Sequence, residues 1–185
     1  MEDKSDEEIM VEVSEGNVEA FGELVKRHQQ TAWGIAYWFL KDPVVAEDLA
    51  QEAFLKIFEA APRYKPTAKF TTYLNRVVSR LCFDWMEKKR PKNIKTYPGD
   101  AMNSDAPKPD RELVKEEMHS ELQEALQKLP DRQRMAILLQ HLEEMSYQEI
   151  GEVMDITEKA VERLLARARN NLEEELGDPQ KYLRH

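Results

Sequence analysis

Acidic and histidine side chains at helical spacing are the groups in this sequence that could perform acid–base catalysis or bind a metal ion. Asp48 and Glu52 lie one helical turn apart, and paired carboxylates can transfer protons or bind a divalent cation. Glu116 and His119 form a Glu-x-x-His pair, which di-iron helical proteins use twice. The pair occurs once here, and no histidine or second acidic helix is placed to complete a site around Asp48. We therefore expect no catalytic or metal site. The carboxylates form either a solvated helix face or a docking surface for a basic partner.

Residues 145–170 carry the pattern of two helices joined by a tight turn. Ser146, followed three residues later by Glu149, is the signature of a capping box and predicts the start of the first helix. Gly151 lowers helix stability, but it allows a neighbouring helix to approach closely. Thr157 can cap the second helix. The segment therefore predicts a helix-turn-helix.

One face of the second predicted helix is strongly cationic. Lys159, Arg163 and Arg167 recur every four residues and therefore stack along the helix. Like charges at this spacing destabilise a helix by about 0.2–0.5 kcal/mol per pair. DNA, with its phosphates and guanine edges, would relieve that repulsion. A solvated face on a purely structural helix is the alternative, and the agreement of cap, small residue and turn favours DNA binding.

The composition excludes several classes of protein. Apolar residues recur at helical spacing through most of the 185 residues, which predicts an all-α fold of one ordinary or two small domains. Cys82 is the single cysteine, so a disulfide framework and a cysteine-rich zinc site are excluded, and we expect a buried thiol. The sequence shows no signal peptide and no apolar run long enough to cross a membrane. We expect a cytoplasmic protein without membrane insertion.

The charge is distributed unevenly along the chain. Residues 63–95 contain ten cations and two carboxylates, a net charge of +8, so the rest of the chain carries −17 of the total of −9. Tyr64, Tyr73 and Phe83 lie among these cations. Cations that follow a backbone and aromatic rings that stack on unpaired bases suit single-stranded DNA. The acidic remainder predicts a surface for a protein partner or for self-inhibition.

Caps and prolines predict where the helices begin and end. A short helix is expected over 6–13, Asn17 caps the next helix, and Asp42 with Pro43 begins another. A loop over 62–69 precedes a long helix over 70–90, and two further helices are expected over 113–129 and 131–143. Residues 92–111 have no apolar period and are rich in Pro, Asp, Asn and Lys, which predicts a flexible linker between two helical domains.

Several motifs in a fixed order resemble a bacterial RNA polymerase sigma factor of the small, two-domain extracytoplasmic-function type (ECF, group 4). The resemblance covers nearly the whole chain. It is carried by AFGELVKRH (20–28), AEDLAQEAFLKIF (46–58), FTTYLNRVVSRLCFDW (70–85), LPDRQRMAILL (129–139), SYQEIGEVM (146–154) and RAR (167–169).

The resemblance implies a role for each part of the chain. Residues 1–91 look like sigma region 2, 92–111 like a linker, and 112–185 like sigma region 4. Contact with the β′ clamp helices of the polymerase is implied for Asp48, Gln51, Glu52 and Phe54. Binding and melting of the −10 element is implied for Tyr64, Lys69, Tyr73, Asn75, Arg76, Arg80 and Phe83. Recognition of the −35 element is implied for Thr157, Lys159, Glu162, Arg163 and Arg167.

The expected partners follow from the same resemblance. They are core RNA polymerase, through its β′ clamp helices and β flap, promoter DNA and an anti-sigma factor, with no catalytic residue, metal or cofactor. The sequence departs from the usual family pattern in both DNA-binding regions. Tyr73 stands where Trp is common and Arg80 where Asn is common. In the recognition helix Glu162 inverts a charge, and it could accept from cytosine N4 or repel phosphate. Free sigma factors of this type usually bind DNA poorly, which fits shielding of the basic helix by the acidic remainder.

Two other classes of protein compete with the sigma factor. A free-standing helix-turn-helix regulator would bind duplex DNA without polymerase, but it leaves the basic, aromatic segment unexplained. A helical metal enzyme using Glu116, His119 and the acidic helix would bind a metal ion, and the missing second Glu-x-x-His pair argues against it.

Overall fold

The computed structural model describes residues 4–89 and 113–177, and within these ranges every regular element is helical. The first range contains α1 (Asp6–Ser14), α2 (Val18–Leu40), α3 (Pro43–Ala60), a short 3-10 helix (Ala61–Arg63) and α4 (Phe70–Lys89). The second contains α5 (Leu113–Lys128), α6 (Asp131–Leu142), α7 (Tyr147–Met154) and α8 (Glu158–Leu176). The all-α prediction is confirmed. The predicted linker and Arg90 lie outside the described residues.

The first helices begin where polar side chains can bond to their unpaired backbone N–H groups. Ser5 and Glu8 form a capping box at α1. The Asn17 side chain accepts a hydrogen bond from the backbone N–H of Ala20, and Asp42 accepts from those of Val44 and Val45. The caps predicted at Asn17 and Asp42 are therefore confirmed. Between these two helices, Lys41 adopts a left-handed conformation with φ 57° and ends α2.

Helix α2 is the centre of the N-terminal half, because α1, α3 and α4 all pack against it. Its Leu24, Ile35 and Phe39 are completely buried. Ile57 of α3 and Leu74 of α4 complete this core. This packing leaves one face of α3 exposed to solvent. One face of α4 is turned toward the C-terminal half.

The C-terminal half packs α8 against α5, α6 and α7. Val161, Leu165 and Leu172 of α8 are completely buried, as their helical spacing predicts. The two halves are also in contact, since α2 packs on α5 and α6, and α4 packs on α6 and α7. This contact covers part of the basic helix α4, in line with the shielding expected from the charge distribution, although the helices involved were not predicted. Among the described helices, none is both long and apolar enough to cross a membrane.

Candidate nucleic-acid interface

Helices α7 and α8 form the predicted helix-turn-helix. The hydroxyl of Ser146 accepts from the backbone N–H of Glu149 at 3.2 Å, and the Glu149 carboxylate accepts from the backbone N–H of Ser146 at 2.9 Å. Thr157 caps α8 by accepting from the backbone N–H of Ala160 at 3.2 Å. Asp155 ends α7 in a left-handed conformation with φ 54°. The predicted capping box and both helix starts are confirmed.

Gly151 allows both the turn and the start of α8 to lie close to α7, since a Cβ atom there would lie 3.7 Å from the main-chain nitrogen of Glu158, the first residue of α8. A Cβ atom at this position would lie 2.7 Å from the main-chain oxygen of Ile156. That distance is well inside van der Waals contact, and the obstacle is backbone that cannot rotate away. Glycine is therefore required because the chain folds back over α7 immediately before α8 begins.

The predicted −35 residues lie together on the exposed side of α8. Thr157, Lys159 and Glu162 are exposed, and so are Arg163 and Arg167. Within the described part of the chain, none of the three cations takes part in an ion pair. Their mutual repulsion is therefore not relieved inside the protein, and this cationic ridge is available to an anion.

The predicted −10 residues of α4 and the loop before it fall into two groups. Tyr64 and Tyr73 are half-buried with ring centroids 5.8 Å apart, while Phe83 packs edge-on against Phe39 with centroids 5.5 Å apart. The remaining four residues lie along the helix toward the C-terminal half. They are Lys69, Asn75, Arg76 and Arg80.

Helix α7 lies across this second group. The ammonium group of Lys69 forms an ion pair with Glu149 at 2.8 Å. The guanidinium of Arg76 donates from Nε to the main-chain oxygen of Glu152 at 2.9 Å, and Nη2 donates to the same oxygen. Among the four, Arg80 is the exposed cation that has no such contact with a described residue. The ion pair with Lys69, together with hydrogen bonds from Ser146, lowers the pKa of Glu149 to about 2.

Asn75, implied by the resemblance as a −10 contact, is buried with Ser79 under the C-terminal half. Asn75 is 0% exposed and its Nδ2 lies 3.5 Å from the sulfur of Met145. Ser79 is 1% exposed and its hydroxyl lies 3.3 Å from the sulfur of Met135. Thioether sulfur is a weak acceptor, and Asn75 Oδ1 has no hydrogen-bond partner among the described residues. The Asn75 side chain also interacts with the carboxylate of Glu143, so its amide oxygen is the buried group that is left unsatisfied.

A second contact between the halves consists of several hydrogen bonds to main-chain carbonyls, although Gln123 Oε1 has no partner among the described residues. Helix α2 ends with main-chain carbonyls that lack partners within the helix. Gln123 donates to the carbonyl of Trp38 at 3.2 Å, Gln127 donates to that of Phe39 at 3.2 Å, and Arg134 donates to that of Phe39 at 2.7 Å. We call Gln123, Gln127 and Arg134 the carbonyl latch. Burial lowers the pKa of Arg134, which also packs over the Phe39 ring.

The acidic side of α3 forms a separate surface. Asp48, Gln51 and Glu52 are exposed there, as predicted. Phe54 is only 6% exposed, because it packs beneath Phe21 with ring centroids 6.3 Å apart. The structure instead exposes Leu55, at 56%, beside a groove between α2 and α3. The sequence analysis did not single out Leu55, although an apolar residue next to Gln51 and Glu52 was a usable signal.

The remaining reactive groups considered from sequence are His119, Glu116 and Cys82. Within the described ranges, no three His, Cys, Asp or Glu side chains are grouped to hold a metal ion. His119 packs beside Trp38 with ring centroids 5.6 Å apart, and the side chain of Glu116 lies outside the described residues. Burial raises the pKa of the Cys82 thiol to about 12, so the buried thiol expected from sequence is confirmed.

These features define a class of protein before any comparison is made. The chain is helical, carries a helix-turn-helix with an uncovered cationic face, and has a second basic helix adjoined by tyrosines. Such a combination is typical of a transcription protein that contacts DNA at more than one place.

Comparison with known proteins identifies the family. The family described as Sigma-70 region 2 matches residues 24–91, and that described as Sigma-70, region 4 matches residues 119–172. The ECF RNA polymerase sigma factor SigW of Bacillus subtilis is 30% identical over 176 residues, which cover 90% of this chain and 94% of SigW. The RNA polymerase sigma-H factor of Pseudomonas aeruginosa is 27% identical over 182 residues, covering 94% of each chain.

Solved structures share the fold. A chain in the structure of CnrH in complex with the cytosolic domain of CnrY aligns with a TM-score of 0.73 and 24% identity, covering 94% of this chain and 98% of that one. A chain in the complex of the sigma factor RpoE with the anti-sigma factor NepR from Bartonella quintana aligns with a TM-score of 0.65 and 18% identity. That alignment covers 85% of this chain and 96% of the other.

The chain belongs to the extracytoplasmic-function family of RNA polymerase sigma factors. It binds core RNA polymerase and directs promoter recognition, DNA melting and the initiation of transcription. The free-standing regulator considered from sequence is not favoured, because both sigma regions are matched in the family order.

Proposed function

We propose that the acidic side of α3 is the surface that docks on core polymerase. Asp48, Gln51 and Glu52 present charge and hydrogen-bonding groups to a basic partner, and exposed Leu55 adds an apolar contact at the edge of the groove. The β′ clamp helices are the partner that the family resemblance implies. Phe54 supports this surface from below, since Phe21 covers its ring.

The loop before α4 and the exposed side of α4 bind the −10 element in this proposal. Tyr64 and Tyr73 supply aromatic faces for unpaired bases, and Lys69, Arg76 and Arg80 supply charge for the backbone. Asn75 joins this surface only when α6 and α7 move away, because it is completely buried beneath them. Phe83 holds the helix against Phe39.

The exposed side of α8 reads the −35 element. Lys159, Arg163 and Arg167 are placed for phosphates and guanine edges, and Glu162 among them can accept from cytosine N4. Thr157 caps the N-terminus of α8, the recognition helix. A helix N-terminus favours binding of a DNA phosphate. Residues 1–91 therefore act as region 2, residues 92–111 as the linker and residues 112–185 as region 4, which also contacts the β flap.

The contact between the halves gives the free protein a closed state. In this state α7 occupies part of the α4 surface that the −10 element needs, while the cationic ridge of α8 stays exposed. Core polymerase would separate the halves, since the two DNA elements lie apart on a promoter. The buried oxygen of Asn75, which has no hydrogen-bond partner among the described residues, lowers the cost of that separation.

The chain acts without a catalytic step of its own, in the cytoplasm where core polymerase is found. One structural neighbour is a sigma factor in complex with an anti-sigma factor. We propose that the present chain also binds an anti-sigma factor. Such an inhibitor could cover the acidic surface of α3 or stabilise the closed state.

The observation that carries the proposal is the separation of charge, with carboxylates on the exposed side of α3 and unpaired cations on that of α8. The test is co-elution with purified core polymerase. We expect the wild type to co-elute and the double variant Asp48→Lys/Glu52→Lys to elute alone. The control Glu15→Lys/Glu19→Lys reverses two exposed carboxylates at the same spacing and should still co-elute. Equal co-elution of all three proteins would remove α3 as the docking surface.

A further inference from the structure

Helix α1 supplies a carboxylate to the start of α4 from a distant part of the chain. Oε1 of Glu7 accepts a hydrogen bond from the backbone N–H of Phe70 at 2.7 Å, and Phe70 is the first residue of α4. The first N–H groups of a helix have no partner within it, and the positive end of the helix dipole favours an anion there. Glu7 therefore caps α4 across 63 residues of sequence.

The position of Glu7 is fixed by its neighbour Asp6. The two carboxylate oxygens of Asp6 contact α2, one at 3.0 Å from Nη1 of Arg27 and the other at 2.7 Å from Nε2 of His28. The His28 ring in turn packs on the ring of Phe70, with centroids 5.2 Å apart. Helix α1 is thus bound to α2 and to the first residue of α4 at the same time.

Glu7 bonds to the start of α4, which lies between Tyr64 and Tyr73, the two tyrosines proposed to contact unpaired bases. Tyr64 directly follows the 3-10 helix, which packs on α1. Its hydroxyl is buried and has no hydrogen-bond partner among the described residues. Burial, with a smaller contribution from the charge of Glu7, raises the pKa of Tyr64. Both ends of residues 64–69 are therefore close to α1. Tyr64 packs near α1 at one end, and Glu7 of α1 caps α4 directly after the other end.

We infer that Glu7 is a positioning residue for promoter melting, because its bond to the Phe70 N–H holds residues 64–69 and the first turn of α4 in the shape that receives an unpaired base. This inference rests on the proposed role of Tyr64, Lys69 and Tyr73 at the −10 element. It assigns Glu7 no contact with DNA. Glu7 acts through the backbone. If the N–H of Phe70 lost its acceptor, the first turn of α4 would fray and Tyr73 would move relative to Tyr64.

The variants Glu7→Ala and Glu7→Gln separate positioning from general stability. Alanine removes the acceptor, whereas the amide oxygen of glutamine can accept the same hydrogen bond. Glu15→Ala is the matched control, because Glu15 lies at the other end of α1 and is exposed. Each protein is assembled with core polymerase. The binding of a fluorescent single strand carrying a −10 sequence selected by the wild-type holoenzyme is then compared with the binding of a −35 duplex.

We expect Glu7→Ala to weaken single-strand binding about fivefold, the factor by which loss of a helix cap shifts the equilibrium from the ordered to the frayed first turn. Core assembly and −35 binding should stay unchanged, Glu7→Gln should recover most of the lost affinity, and Glu15→Ala should match the wild type. Single-strand binding by Glu7→Ala equal to the wild type would overturn the inference. So would an equal loss of all three activities, or a glutamine variant as weak as the alanine variant.

Arg80→Ala distinguishes failure of this inference from failure of the proposed function. Arg80 lies on the exposed side of α4 and has no contact with Glu7. If Arg80→Ala weakens single-strand binding and Glu7→Ala does not, the role of Glu7 is wrong and that of α4 stands. If neither variant weakens it, α4 is not the −10 surface and the inference falls with it.

Discussion

The guanidinium of Arg76 in α4 donates to the main-chain oxygen of Glu152 in α7, with Nε at 2.9 Å. The acceptor lies in the first helix of the helix-turn-helix, so a cation proposed for −10 DNA is bound by the −35 module of the same chain. This hydrogen bond holds the exposed guanidinium of Arg76 against α7. Arg76 must release the Glu152 oxygen before it can bind DNA.

Removal of the carbonyl latch should open the free protein. We expect Gln123→Ala/Gln127→Ala to increase the radius of gyration measured by small-angle X-ray scattering, because the Trp38 carbonyl loses both glutamine donors and the Phe39 carbonyl keeps only Arg134. Single-strand binding by the free protein should rise with it. Transcription by the holoenzyme should change little, since the halves are already apart there.

Gln148→Ala is the control for the latch variant, because Gln148 is an exposed glutamine of α7 whose amide contacts Glu152 of the same helix. It should leave the radius of gyration unchanged. An unchanged radius in the latch variant would show that these hydrogen bonds do not hold the closed state.

The ion pair between Lys69 and Glu149 predicts a pH dependence. The pKa of Glu149 is lowered to about 2 in the folded state, so the carboxylate stabilises the fold above its ordinary pKa near 4.5, and this stabilisation is lost as the pH falls toward 2. We expect Glu149→Gln to lower the free energy of unfolding by about 1 kcal/mol at pH 7, because Lys69 is largely exposed and its charge is screened.

Urea titrations at several pH values test this expectation. The difference between Glu149→Gln and the wild type should shrink between pH 4.5 and pH 2, since the carboxylate is protonated there. Part of the difference at pH 7 should also disappear in high salt, which screens the Lys69 ammonium. A difference that is independent of pH would show that the charge of the Glu149 carboxylate does not contribute to stability.

The local features of the fold could be predicted from sequence because their causes lie within a few residues. Asn17, Asp42, Ser146 and Thr157 each bond to a backbone N–H two or three residues away, and a cap needs no knowledge of the tertiary structure. The cationic side of α8 was predicted for the same reason. The four-residue spacing of Lys159, Arg163 and Arg167 is enough to place them on one face of the helix.

The contacts between distant residues could not be predicted in this way. Asn75 is polar and lies off the apolar stripe of α4, so an exposed position was the reasonable expectation, yet Met145 of the other half covers it. The cap that Glu7 forms at Phe70 could not be predicted from sequence either, because any acidic residue in the chain could have filled that role. Pairings of this kind depend on how whole helices pack, which helical periodicity does not encode.

Gly151 should tolerate no side chain. We expect Gly151→Ala to lower the free energy of unfolding by about 1–3 kcal/mol, because the new Cβ would lie 2.7 Å from the backbone oxygen of Ile156 and force the turn to shift. Gly34→Ala is the matched control, since Gly34 lies inside α2 and a Cβ there meets nothing within 4 Å. That variant should gain about 0.5–1 kcal/mol from helix propensity. Urea unfolding of both variants measures the opposite signs, and the same sign for both would contradict the steric explanation.

The cationic ridge of α8 should contribute both affinity and salt dependence to −35 binding. We expect Arg163→Ala and Arg167→Ala each to weaken holoenzyme binding to a −35 duplex by about 1–3 kcal/mol if the guanidinium reads a base, with the loss confined to particular base pairs. Lys159→Ala should instead weaken binding to all sequences alike and reduce the slope of log affinity against log salt by about 1, as the loss of one phosphate contact requires. Arg132→Ala, an exposed arginine at the start of α6, is the control and should change neither quantity. Equal effects of Arg132 and the three ridge residues would mean that net charge, and not the face of α8, determines binding.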